Sequence, residues 1–322
     1  MAIPAAGQDI AVAGVDSYTL YGAETTYATA AGSINKHFGI VTRVSPTKRN
    51  NLLQVRGFKG TTTGGRQMVK SRGGKFEPGV SVEFEPQTWE WLEYVMGTKT
   101  GSGTSGDPYI YTKSSSPGSL SIATSIELGS TDQDVIYLGC LVNSCTLRAA
   151  MGEKVTCTLE LVAADLDKDN TVQTPVALSS LDVFVFSGVT LQWPSGEDVN
   201  HVIDSIEITI TNNAEVRYGL GSRTGKKGVH KQLEYQIRFT VDLEDDTFLD
   251  DFLGSASGPA TDPTRVATAV ITFTNSATHS CTFTFTGVTV DEDGGDQTYA
   301  EVIPEDITAI AESLSVSEVQ SA

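Results

Sequence analysis

Histidine and cysteine are scarce in this chain, four of each among 322 residues, and their placement excludes most metal chemistry. His37, His201, His230 and His279 are scattered, and none has ligand spacing to a cysteine or a carboxylate pair. Cys140, Cys145, Cys157 and Cys281 form no CxxC pair. Cys145 and Cys157 flank a predicted turn at Met151 and Gly152, and each shares a face with apolar residues. That reads as buried free thiols in preference to a disulfide or metal site. There is no GxSxG and no P-loop; "GLGSRTGKK" lacks the Walker spacing and follows a strand without opening a helix. "DEDGGD", Asp291 to Asp296, lacks the spacing and closing Glu of an EF-hand and reads as a solvated acidic turn in preference to a cation site. No catalytic residue, cofactor or metal site is assigned, and the expectation is a protein that is not an enzyme.

Long apolar runs are also missing. No stretch of about 18 apolar residues occurs, so no membrane span is expected. The opening "MAIPAAGQDIAVAGV" has no basic region and reads as no signal peptide. Basic residues are few, 22 against 40 acidic, for a net charge of −18. Such a surface repels nucleic acid and keeps the chain soluble. Dense acid is tolerable where salt screens it, which fits a salty environment.

What the chain has in quantity is strand pattern. In "LEYQIRFTVDL", Leu233, Tyr235, Ile237, Phe239, Val241 and Leu243 fall on one face and polar residues on the other. "VSVEFE" alternates in the same way, with Val80, Val82 and Phe84 inward, and "SIEITIT" aligns Ile206, Ile208 and Ile210. "AVITFT", "CTFTFT" and "KVTCTLEL" alternate and are rich in Thr. Two strands then change period. "VEFEPQTWEWLEYVMG" (Val82 to Gly97) and "FTVDLEDDTFLDDFLG" (Phe239 to Gly254) align without a gap. Phe248, Leu249, Phe252 and Leu253 predict a helical stripe about ten residues long, capped by Asp245 and ended by Gly254. Trp89 and Trp91 read as core, since Trp91 aligns with Phe248.

The similarity extends outward. "NLLQVRG" from Asn51 pairs with "NNAEVRY" from Asn212, with Val55 on Val216, and the first loop is then four residues longer. Asp107-Pro108 pairs with Asp262-Pro263, and "YLGCLV" with "FTGVTV". The reading is mainly β: two tandem copies of a β-sandwich or barrel unit, residues 1–175 and 176–322, each with six or seven strands and one short flanking helix. The break falls in the polar stretch Leu166 to Ser180.

Charge is segregated in the matching loops. Gly57 to Lys75 carries Lys59, Arg66, Lys70, Arg72 and Lys75; Tyr218 to Lys231 carries Arg223, Lys226, Lys227 and Lys231; neither holds an acid. Lys59, Arg66, Lys70, Arg72, Arg223, Lys226 and Lys227 are expected to meet acidic surface on a neighbouring subunit, in preference to serving as solvated tips. Nucleic-acid contact is disfavoured because no aromatic residues interleave.

"YGAETTYATAAG", "LGCLVNSCTLRAAMGEKVTCTLELVAADL", "FSGVTLQWPSGEDVNHVIDSIEITITNNAEVRYGLGSR" and "DTFLDDFLG" resemble, in order, segments of tail tube proteins of long-tailed phages and viruses. The resemblance implies a virion protein assembled in the host cytoplasm. Its rings would share one continuous β-barrel and stack into a tube, with long loops locking the rings together. Viral DNA would pass through the lumen without specific binding. The implied partners are other copies of itself, the tape-measure protein, and the tail terminator and baseplate proteins, with no membrane. Two units per chain predict trimeric rings of pseudo-sixfold symmetry; a hexamer of whole chains is the alternative. Rival classes are a head decoration or secretion-tube protein, or a secreted β-sandwich binding module. The closing "EDITAIAESLSVSEVQSA" carries no feature of the family.

Overall fold

The computed structural model describes residues 17–55, 70–126, 133–168, 173–174, 176–199, 203–243, 246–276, 278–295 and 303–320. The first half carries β1 (Tyr18–Ala23), β2 (Ile40–Arg49), β3 (Leu53–Val55), β4 (Lys70–Arg72), β5 (Glu77–Glu85), α1 (Leu92–Met96), β6 (Gly97–Thr100), β7 (Tyr109–Lys113), β8 (Leu120–Ile126), β9 (Gln133–Ala150), β10 (Thr156–Val162) and β11 (Asp165–Asp167). The second carries β12 (Val189–Gln192), β13 (Ile203–Thr211), β14 (Glu215–Tyr218), β15 (Gly225–Val229), β16 (Glu234–Asp242), α2 (Thr247–Leu253), β17 (Arg265–Ser276), β18 (His279–Gly294) and β19 (Pro304–Gln320). The protein is mainly β, as the alternation predicts, but with more strands per half than the six or seven expected.

The main ladder runs β12-β17-β18-β19-β16-β13-β9-β10-β5-β2, and all the pairings along it are antiparallel. Both halves therefore lie in one sheet, joined where β9 pairs with β13, Ser144 opposite Thr211 and Leu147 opposite Ile208. Alternation places Val82, Phe84, Leu147, Leu159, Ile208, Ile237 and Phe239 in one core that runs through both halves. Trp91 is buried edge-on against Phe84, and Phe248 edge-on against Phe239. All four cysteines are free and buried in this apolar packing. Leu243, expected inward, is exposed.

The helices are shorter than ten residues: α1 has five and α2 seven. Each stops at a left-handed glycine, Gly97 at φ 103° and Gly254 at φ 75°, whose N–H returns to Glu93 or Asp250. A side chain at such φ is strained, which is why glycine ends both. Asp246 precedes α2 without a side-chain cap bond, and Asp245 lies outside the described residues.

The two halves repeat the same irregularities. β2 and β5 slip register between Val41 and Arg43; β13 and β16 slip between Ile203 and Ser205. The β9–β10 ladder slips past Asn143, and the β18–β19 ladder past Asp291. Gly139 and Gly287 have φ of 62° and 65°. Asn51 and Asn213 have φ of 38° and 49°. The Asn51 amide donates to Lys75 O (3.2 Å) and Glu77 (2.6 Å); the Asn213 amide donates to Gln232 O (3.0 Å) and Glu234 (3.4 Å).

These anchors correct the expected pairing in three places. Asn51 corresponds to Asn213, so Val55 stands at the place of Arg217 and the first loop is five residues longer (|i−j| 24 against 19). Pro263 corresponds to Pro117, because Ser114 N–H bonds Met96 O as Ala260 N–H bonds Leu253 O, both at 2.8 Å. The β6–β7 hairpin, which contains Asp107-Pro108, has no counterpart among the described residues of the second half; β7 pairs instead with the end of β19. Finally, Asp291 to Gly294 is not a turn but the end of β18.

Candidate functional site

Strand alternation gives the main sheet a second, polar face. On it stand Ser81 and Glu83 of β5, Thr158 and Glu160 of β10, Thr146 and Arg148 of β9, Glu207 and Thr209 of β13, and Gln236 and Arg238 of β16, none of them buried. Glu207 lies opposite Arg148 on one side and Arg238 on the other. Cross-strand neighbours of opposite charge compensate each other. A face of hydroxyls and compensated charge offers no continuous cationic track for a polyanion to grip.

The described ends of the basic loops pair as two short ladders, β3 with β4 and β14 with β15. They lie side by side within one chain. Arg223 Nε donates to Gly74 O (2.9 Å) and Nη2 to Asn50 Oδ1 (2.7 Å), while Phe76 N–H donates to Arg223 O (2.8 Å). Arg223 is thus tied to the base of the first hairpin. Lys70 and Lys227 occupy equivalent register positions, opposite Val55 and Arg217. Lys70, Arg72, Lys226 and Lys227 are exposed. Lys59 and Arg66 lie outside the described residues. Hydrogen bonds from Lys75 and Asn51 hold Glu77 below the usual carboxylate range.

Among the described residues the ladder ends at β12 and at β2, and one further stretch within it also lacks a second neighbour. β2 pairs with β5 on one side alone, and Asp291 to Gly294 of β18 with β19 alone, since β17 stops opposite Thr289. The matching stretch of β9 has strands on both sides. The helices differ likewise. Leu92 and Val95 of α1 are fully buried, whereas Leu249 and Phe252 of α2 are 42% and 37% exposed. Buried Asn212 accounts for part of this, donating to Val95 O (3.0 Å) and Val142 O (3.2 Å) across the junction of the halves.

A buried carboxylate ties the last strand to the first half. Glu318 of β19 accepts from Trp89 N–H (3.0 Å) and the Tyr111 hydroxyl (2.6 Å). Burial pushes its pKa up, more than these two bonds pull it down. Among the described residues no cluster of His, Cys, Asp or Glu is placed to hold a metal, and no described helix is long and apolar enough to cross a membrane.

Sequence reasoning singles out the two basic loops but gives no role to Asn51, Asn213, Asn143 and Glu318. The doublets Asn50-Asn51 and Asn212-Asn213 were the available signal for two of them. In comparison with known proteins, the model of the phage tail tube protein family matches residues 14–309, from before β1 into β19. No curated protein matches the chain.

Proposed function

Because the chain belongs to the phage tail tube protein family and is a structural component of the virion tail, we propose that residues 1–175 and 176–322 are two copies of one tube-wall unit, and that three chains close a ring of pseudo-sixfold symmetry. The observation that carries this reading is the β9–β13 junction, which joins the two units head to tail in one ladder. Each unit supplies four wall strands in the same order: β2, β5, β10, β9 and then β13, β16, β19, β18. A ring built by repeating that junction is heterologous and closes by rotation.

Strand spacing argues for six units. With strands about 4.8 Å apart and tilted about 40°, twenty-four strands give a circumference of about 150 Å and a backbone diameter of about 48 Å. Side chains reaching about 5 Å inward leave a bore of about 38 Å. Twelve strands leave about 14 Å, little more than one DNA major groove of about 12 Å. A hexamer with one half of each chain outside the wall requires that half to leave the ladder, whereas here both halves share it.

In this reading the polar face lines the bore, and its compensated charges let DNA slide past. The protein works by enclosure and not as an enzyme. The exposed lysines and Arg72 of the hairpins meet acidic surface on neighbouring subunits. The tape-measure, tail terminator and baseplate proteins are the protein's further partners in this reading. Electron microscopy of the purified protein tests the assembly: open-bored tubes are expected, and particles that never polymerise would overturn it.

A further inference from the structure

Resting on that two-unit reading, we infer that the open edge of β18 at Asp291 to Gly294 receives β2 of a second copy of this chain, in the register that β9 and β13 already use inside the chain. The internal junction serves as the template. Its β9 side maps onto β18 through the shared slip at Asn143 and Asp291. Its β13 side maps onto β2 through the shared slip at Ile203 and Val41. Ser144 opposite Thr211 then becomes Glu292 opposite Arg49, and Cys145 opposite Ile210 becomes Asp293 opposite Lys48.

The template uses no information about charge, yet it sets two acids against two bases. These four residues are unburied, and the strand ends that carry them lack a second neighbour among the described strands. The flanking groups agree. Asn143 accepts from Ala214 N–H (3.0 Å) through its side chain and from Asn212 N–H (2.8 Å) through its carbonyl. Asp291 stands at the place of Asn143 and supplies the same two acceptors to Leu52 and Asn50 of the second copy. Asn50 stands at the place of Asn212, which bridges to the helix of the preceding unit. The second copy therefore also covers α2, where Leu249 and Phe252 are left exposed. An edge with complementary charge and an uncovered apolar helix beside it fits one partner, this same chain.

Paired cysteines read the register. Antiparallel partners lie about 4.5–5.5 Å apart at Cα, within disulfide range. Arg49→Cys with Glu292→Cys is expected to link separate chains in oxidised assemblies. Ser144→Cys with Thr211→Cys is the control and links each chain to itself. Tubes that form without the interchain link, while the control closes, overturn the register and leave the tube reading standing. Protein that forms no rings or tubes even when unmodified overturns both.

Charge reversal provides a second route that does not depend on disulfide geometry. Lys48→Glu with Arg49→Glu, or Glu292→Lys with Asp293→Lys, should lower the assembled fraction at least about tenfold, since like charges then face each other. All four changes in one chain should restore it. Half-reversed chains that assemble normally, or a fourfold variant no better than either half, overturn the inference.

Discussion

The two halves of this protein share slips, left-handed glycines and asparagine anchors, yet one is finished and the other is not. In the first, α1 is sealed and β9 has neighbours on both sides; in the second, α2 shows Leu249 and Phe252 to solvent and the end of β18 has one neighbour. The first half differs because the second half sits against it. In the ring proposed above, what the second half lacks is the same thing, a following unit, and an isolated chain would then carry the surface of one link.

The comparison can be broken most sharply at the helices. Leu92→Ala opens a cavity in a sealed core and should cost about 3 kcal/mol of subunit stability in urea unfolding. Leu249→Ala, at the equivalent place, should cost under about 1 kcal/mol in the isolated chain and act on tube yield. Equal losses in the isolated chain would mean that α2 is covered already.

Glu318→Ala should cost about 2 kcal/mol, because Trp89 N–H and the Tyr111 hydroxyl lose a buried acceptor. Its pH dependence follows from the raised pKa. The folded form holds the proton more tightly, so this contribution is full below the unfolded value, about 4.3, and is lost as pH rises through the folded value. Glu318→Gln should therefore be the less pH-sensitive protein from about pH 4 upward. A wild-type urea midpoint with the same slope as Glu318→Gln over that range would contradict this.

Asn212→Ala removes two buried bonds at the junction and should cost about 1.5 kcal/mol. Asn50→Ala, its counterpart at the open edge, should change isolated-chain stability by about 0.5 kcal/mol while weakening assembly. The smallest effect on folding is expected at the hairpins. Lys70, Arg72, Lys226 and Lys227 changed to Glu should leave the melting temperature within about 2 °C and shorten the tubes. Normal tube length would make these residues solvated tips.

Much of the fold was legible where local pattern decides it. "LEYQIRFTVDL" alternates because one face of β16 meets the core, and Gly97 and Gly254 mark helix ends because few other residues accept that φ. The helices proved shorter than their apolar stripe: the residues before α1 are held by Glu318 from 229 positions away, a bond no local window contains. The similarity between the two halves was visible, but its alignment slid by one residue at Asn51 and lost Pro117. Hydrogen bonds, not similarity of letters, define equivalence there. The closing segment carried no recognisable feature, yet it forms β19, flanked by β18, β16 and β7. Its role depends on two remote partners, β16 and β7. The charged pairs proposed at the open edges were illegible for the same reason: Arg49 and Glu292 would become neighbours only through the register of other strands.

The central claim is that one chain supplies two wall units, so the direct measurement is the symmetry of a tube averaged end-on by electron cryomicroscopy. The account predicts three chains per ring, with α1 and α2 alternating around six near-equivalent positions. Six whole chains in a ring, with one half of each outside the wall, would contradict it.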